Sequence, residues 1–296
     1  MNLPSFTMLS NADCIQWCLN QGLLTNHPEC PSCRGQGHHF PMSLQKKIRS
    51  YIDEYCWRCT QHECKTTRSI KNYCHRVLKI WPKKSIKLSL CYIFDHFLNL
   101  LPQSISMKIL KISRDQIRKM NRELNDIIVH AFNQEELVLD LMDTVVEIDE
   151  SCFFRRKYNQ GRLRRIIWVL GIFERHTGRL YCEVVPRRDA QTLIPRIVNK
   201  VVPETLISTD AWRAYAGLRN NYFEHEVVIH AQNFVNPQNE EIHTQNIENR
   251  WGYLKSMMRK GRFGRILFRR KLKEMVWRSN HQGNLDSELL EILLSE

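Results

Sequence analysis

The chain has 296 residues, enough for a core domain of about 150 residues plus accessory units. Hydrophobic residues at 43% and charged residues at 25% exclude a disordered chain, and Lys and Arg outnumber Asp and Glu by 44 to 31, a formal charge of +13. That excess favours a polyanionic partner, because each phosphate neutralised releases condensed counterions, although ribosomal proteins, nucleases and membrane-surface proteins share the bias.

The first residues, Met1–Leu9, lack a basic start and a long apolar stretch, so no secretory signal is expected. The longest apolar runs, near Ile86–Leu101, are broken by Lys87, Asp95 and His96, which argues against a membrane span. Eleven Cys without a secretion signal fit an intracellular protein with reduced thiols, some of them binding metal.

In chain order, Ser10 caps a short predicted helix through Leu19, stopped by Gly22. A Cys-rich stretch follows. Cys30-Pro31-Ser32-Cys33 and Cys56-Trp57-Arg58-Cys59 are two CxxC pairs separated by 22 residues, Arg34 to Tyr55. Each pair can supply two thiolates from one tight knuckle, and together they complete a tetrahedral Zn²⁺ shell, with Cys64 as a donor able to replace Cys59. Free thiols are the alternative. From Pro82 to about Phe132 the apolar spacing is helical. A short helix at Ile105–Leu110 and a long one opened by a Ser113/Gln116 capping box resemble a helix-turn-helix, with Arg114 and Arg118 facing outward toward DNA; an ordinary helical hairpin fits the same pattern.

From Thr144 the texture changes to strands: Val145–Phe153, Arg165–Phe173 and Leu180–Val185. A helix over Ala190–Val201 and a strand over Thr205–Thr209 follow. Three strands in meander, a helix and a fourth strand give the opening order of an RNase H-like α/β domain. Asp149 lies inside the first strand and Asp210 ends the fourth. A carboxylate within an apolar strand is costly unless it is paired or binds a metal, though strand-end turn formation is the plainer reading. By alternation Glu147 shares the face of Asp149 and Glu150 opposes it. In His243–Lys255, the residues Ile247, Trp251, Leu254 and Met258 form a helical stripe, and Glu248 sits beside it with Gly252 one turn later. Lys255 lies about 10 Å along the helix from Glu248, suited to a phosphate. His230 and His243 read as structural or phosphate-contacting. Basic clusters at 155–165 and 259–265 either line a DNA channel or are solvated hairpin charges.

The pieces Ile-Asp-Glu, Thr-Asp-Ala-Trp-Arg-Ala-Tyr and His-Thr-Gln-Asn-Ile-Glu-Asn-Arg-Trp-Gly-Tyr-Leu-Lys resemble Merlin-type DDE transposases and the related bacterial insertion-sequence (ISXO-like) transposases. Trp277-Arg278-Ser279-Asn280 is similar to the family's closing Arg-x-Asn segment. The resemblance covers roughly Cys30 to Asn280 and is strongest from Thr144 onward. It implies that Asp149, Asp210 and Glu248 form an acidic triad holding Mg²⁺ (or Mn²⁺), with Lys255 at a basic position after the Glu and Asn246 supporting the site. Gln245-Asn246 departs from the relatives' usual Asn directly after His-Thr, which bears on Asn246 and not on Glu248. The expected organisation is an N-terminal helix and zinc-ribbon-like unit over 1–79, a helical helix-turn-helix-like region over 80–140, an RNase H-like catalytic domain over 141–282 and a tail over 283–296. The expected activity is metal-dependent DNA cleavage and strand transfer at the ends of a mobile element. The enzyme would act as a homo-oligomer on DNA, away from membranes, and in the nucleus if the host is eukaryotic. A domesticated DNA-binding protein without transposition activity and an RNase H-like nuclease are the alternatives.

Overall fold

The structure, a computed structural model, describes residues 3–47, 50–132, 145–154, 166–221, 223–228, 243–258 and 265–295. His230 and the basic clusters at 155–165 and 259–264 lie outside the described residues. The chain divides into two compact units, Met1–Ile128 with Gly283–Glu296, and Val129–Gln282.

The first unit opens with α1 (Asn11–Asn20), whose N-terminus carries the reciprocal Ser10/Asp13 capping box. The one-turn α2 (Pro31–Arg34) precedes a three-stranded antiparallel sheet of β1 (Met42–Lys46), β2 (Tyr55–Cys59) and β3 (Thr67–Ser69). Short helices α3 (Arg76–Lys79) and α4 (Ile86–Leu90) follow, the latter running into a π-helical segment over Cys91–Phe97. Then come α5 (Gln103–Leu110) and α6 (Arg114–Ala131). Lys111 adopts a left-handed conformation (φ 49°) and ends α5 sharply. The expected capping box then starts α6: Ser113 N donates to Gln116 Oε1 at 2.9 Å and Gln116 N to Ser113 Oγ at 3.2 Å. Ile117, Met120, Leu124, Ile127 and Ile128 form its buried stripe.

The second unit is a mixed α/β body around a five-stranded sheet in the order β6-β5-β4-β7-β8. Its strands are β4 (Val145–Phe153), β5 (Ile167–Glu174), β6 (Leu180–Val185), β7 (Leu206–Asp210) and β8 (Glu224–Val228). β4, β5 and β6 form an antiparallel meander, whereas β7 pairs parallel to β4 and β8 parallel to β7. Alternation along β4 sorts its side chains. Val146 and Ile148 join Leu170, Ile172, Ile207 and Tyr215 in a core that also takes Leu193 and Ile197 of α7 (Ala190–Val198). The opposite face of the sheet packs against α8 (Gln245–Met258) through Ile247 and Trp251. A further helix, α9 (Arg265–Asn280), runs along β6. Asn280 acts there as a substitute strand partner: its Oδ1 accepts from Leu180 N at 2.8 Å and its Nδ2 donates to Leu180 O at 3.0 Å. That pairing covers part of an open sheet edge.

The segment expected as a C-terminal tail contains a helix, α10 (Leu285–Ser295), which buries Leu289, Leu290 and Leu293 and belongs to the first unit. Leu3 N donates to Asp286 Oδ2 at 3.2 Å. Among the described residues no helix is long and apolar enough to cross a membrane.

Candidate active site

β4 carries three acids in four residues, and the fold treats each differently. Glu147 has a fully buried side chain on the α8 face. Arg175 Nε donates to its Oε1 at 2.6 Å, Asn246 Nδ2 to the same oxygen at 2.7 Å, and Ile247 N to Oε2 at 3.0 Å. Ile247 N–H belongs to the first turn of α8, which has no carbonyl partner within the helix, and a carboxylate there also meets the positive end of the helix dipole. His243 Nδ1 lies 3.4 Å from Glu147, close enough for an ion pair. Burial, then the neighbouring Arg175 charge, hold that imidazole below its usual pKa against the opposing pull of Glu147 and so favour its neutral form.

Glu150 points to the opposite face and is also buried. Arg188 donates twice to its Oε2, at 3.0 and 2.7 Å, and Tyr215 Oη donates to Oε1 at 2.5 Å. The Arg188 guanidinium is itself stacked 4.4 Å from Trp168 and 4.7 Å from Trp212. Burial raises the Glu150 pKa against the opposing pull of Tyr215 and Arg188, and the same burial raises that of Tyr215.

Asp149 shares the α8 face with Glu147, but among the described residues its donors are neutral: Trp251 Nε1 at 2.9 Å to Oδ2 and Glu150 N at 2.7 Å to Oδ1. The indole reaches it because Gly171 lies directly across the ladder from Asp149. A Cβ on Gly171 would fall 2.4 Å from Trp251 Cζ2. Asp210 comes next in register, since Ile148 pairs with Thr209 on the adjacent parallel strand, and by alternation it faces α8 as Ser208 does. Trp212 N donates to Asp210 Oδ1 at 3.0 Å. Burial, then the charges of Asp210 and Glu150, push Asp149 up to about 6. Among the described residues neither Asp149 nor Asp210 makes an ion pair. Two carboxylates on adjoining strands offer hard oxygen donors of the kind divalent cations take, although among the described residues Asp149, Asp210 and Glu248 do not converge on one point as four of the cysteines do.

Glu248 lies in the first turn of α8 on its exposed side, where Thr244 Oγ1 donates to its Oε1 at 3.1 Å. Trp251, three residues on, ties that helix to Asp149. Gly252 faces open space: a Cβ there would meet nothing within 4 Å. Lys255 Nζ sits 5.8 Å above the Phe153 ring. Asn246, expected to support the site, donates its amide to Glu147, two residues from Asp149 on the same face of β4, and so anchors α8. In the first unit, Arg114 and Arg118 are both exposed on α6, and Arg118 pairs with Asp115 at 3.2 Å.

The cysteines correct the expected ligand set. Cys30, Cys33, Cys59 and Cys64 place their sulfur atoms within 4.8 Å of one another, with Cys30 and Cys64 3.8 Å apart and Cys33 and Cys59 3.6 Å apart. Four thiolates around Zn²⁺ with bonds of about 2.3 Å would stand about 3.8 Å apart, so the cluster fits that ion. Cys56 is outside it. Residues 56 and 59 lie on an extended strand, and positions three apart point to opposite faces, so this CxxC cannot form a knuckle. Past Cys59 the chain turns, with Cys64 N donating to Gln61 O at 3.1 Å and Cys59 N to Thr66 O at 3.1 Å, which brings Cys64 back to the cluster.

Residues 142–280 match the ISXO2-like transposase domain. An uncharacterized transposase-like protein of Haemophilus influenzae is 32% identical over 104 residues, 35% of this chain and 82% of that protein. The chain belongs to the ISXO2-like transposase family. The matched span of this transposase contains every residue of the two-carboxylate site and ends on the Asn280 that covers β6. Among solved structures, a chain of the simian T-cell lymphotropic virus intasome in complex with PP2A regulatory subunit B56 gamma is similar at 17% identity. The alignment covers 48% of this chain and half of that one, with a TM-score of 0.32. At that score the likeness carries no inference.

Proposed function

We propose that this ISXO2-like protein is a DDE transposase that cleaves and joins DNA at the ends of a mobile element, using Asp149, Asp210 and Glu248. The observation that carries the reading is the charge imbalance on β4: Arg175 and Arg188 neutralise Glu147 and Glu150, while Asp149, on the register that meets Asp210, has neutral donors alone among the described residues. The strand order, with an antiparallel meander followed by two parallel strands beyond β4, supports an RNase H-like catalytic domain.

Asp149 and Asp210 would hold divalent Mg²⁺ or Mn²⁺, with Glu248 contributing from α8. Bound there, the metal supplies an activated oxygen nucleophile and stabilises the leaving oxygen of an in-line displacement at phosphorus. The chain's own residues set up that chemistry. Trp251 and Trp212 N fix the carboxylates by hydrogen bonds, Glu147 anchors the start of α8, and the open side at Gly252 leaves room for a DNA strand. Lys255 lies on the same helix, suited to a phosphate of that strand.

Zn²⁺ at Cys30, Cys33, Cys59 and Cys64 would staple a ribbon-like element in the first unit. The hairpin of α5 and α6, with Arg114 and Arg118 outward, suits end recognition, since base-edge contacts carry sequence information and phosphate contacts do not. DNA is thus the partner, held by a homo-oligomer.

The test is metal-dependent cleavage and joining of DNA bearing the element's ends. Asp149→Asn, Asp210→Asn and Glu248→Gln should each abolish cleavage and leave DNA binding largely intact. Near-normal cleavage by any one of them removes that residue from the triad.

A further inference from the structure

A second charged feature lies at the opposite edge of the sheet. Between β6, α7 and α9 is an open cleft of about 680 Å³ lined by Glu183, Arg196, Asn199, Lys200, Arg269 and Lys273. Four cations meet one carboxylate, and that carboxylate is already paired with Arg196 at 3.1 Å. Lys200 sits 5.2 Å over the Tyr181 ring.

Folding explains only part of this. Arg196 and Lys200 lie at the C-terminal end of α7, where cations complement the helix dipole. Arg269 and Lys273 have no such reason. Arg269 is exposed, the fifth residue of α9, and lies past the first turn, so the helix dipole gives no reason for a cation there. Arg269 and Lys273 are also spaced i, i+4, which sets two like charges side by side on one helix face at a cost in stability. Among the described residues neither makes an ion pair. A fold that gathers cations against local preference, beside the free side-chain amide of Asn199, presents a polyanion site.

We infer that this cleft is a second DNA contact, gripping the phosphodiester backbone of a strand apart from the one at the acidic site. β6 stands two strands from β4, about 10 Å across the sheet, so one phosphate cannot serve both places. Tyr181, Val184, Pro195 and Leu272 floor the cleft and the four cations rim it, so the charges meet the phosphodiester backbone, and contacts to phosphate carry no sequence preference. The inference rests on the reading of this chain as a DNA enzyme and adds a site to it.

The experiment is equilibrium binding of the full chain to a random-sequence DNA duplex between 50 and 200 mM salt, with chelator present so that no cleavage intervenes. Each phosphate contact contributes about 0.9 to the slope of log K against log salt. Arg269→Gln with Lys273→Gln should therefore reduce that slope by about 2, roughly two phosphate contacts, equally for random and element-end DNA. Arg269→Lys should keep the slope, because a phosphate contact needs only the charge. Gln keeps the aliphatic stems, so a thermal melt matching the wild type excludes misfolding, and Arg269→Glu alone serves if the double variant melts early. An unchanged slope overturns the inference while leaving the catalytic reading intact, and a slope lost only on element-end DNA overturns it as well. A reduced slope in a protein that never cleaves DNA supports the second contact and sinks the catalytic reading instead.

Discussion

Asp149→Asn should make the metal-free protein more stable at neutral pH while destroying its activity. The carboxyl is held at about 6, against an ordinary value of 3.8, first by burial and then by the Asp210 charge. A folded-state pKa above the unfolded one means the native state binds the proton more tightly, so ionised Asp149 is a liability. That liability is absent below the unfolded pKa, grows between about pH 4 and 6, and is complete above 6. Two pH units at about 1.4 kcal/mol each make it about 3 kcal/mol. Asn carries no charge, but its single oxygen can face Trp251 or Glu150 N and its amide NH2 then meets the other donor, so the variant should recover part of that amount. The assay is urea unfolding in chelator at pH 7.5 and again at pH 4, reading the midpoint at constant slope. The gain should be present at pH 7.5 and gone at pH 4. Adding Mg²⁺ should stabilise the wild type and not the variant, because only a ligand that binds the native state shifts the midpoint. A variant no more stable than wild type at pH 7.5 would refute the account of Asp149 as an uncompensated carboxylate.

Two further outcomes follow from the geometry. Gly171→Ala would drive a Cβ to 2.4 Å from a rigid indole carbon, so Trp251 must leave Asp149, costing about 1–3 kcal/mol in a denaturation curve together with much of the cleavage activity; unchanged values for both would show that the ring is not fixed there. In the first unit, Cys64→Ser should lose the bound zinc and Cys56→Ser should keep about one ion per chain by elemental analysis; the reverse result would restore Cys56 to the ligand set.

Sequence periodicity located what depends on local pattern. β4 and β6 fall where the apolar runs lie, and alternation assigned Glu147 and Asp149 to one face and Glu150 to the other, as their partners on α8 and on Tyr215 show. The Ser113/Gln116 box was visible because capping is a local event. β8 was not, because Glu224, His225 and Glu226 carry no apolar alternation, and the strand exists through its ladder to β7. The tail helix carries a signal of its own, the helical spacing of Leu289, Leu290 and Leu293. The cysteine error has a different origin: equal CxxC spacing was read as equal geometry, but one pair flanks a helical turn and the other lies on a strand.

The acids on β4 show what spacing cannot supply. Three carboxylates within four residues look equivalent in sequence, and their distinction is made by Arg175 and Arg188, which lie 28 and 38 residues from the acids they neutralise. A buried carboxylate that loses its Arg partner is left as an unpaired charge at a cost of about 3–5 kcal/mol, so Glu147 and Glu150 are committed to holding the fold. Among the described residues Asp149 has no such partner, and the charges of Asp210 and Glu150 repel it. Selection for stability alone does not favour it, since a neutral side chain of the same shape removes the repulsion and can keep one of its two hydrogen bonds. Its presence between two satisfied acids, on the strand register that meets Asp210, therefore argues for a positively charged partner that the described residues do not provide.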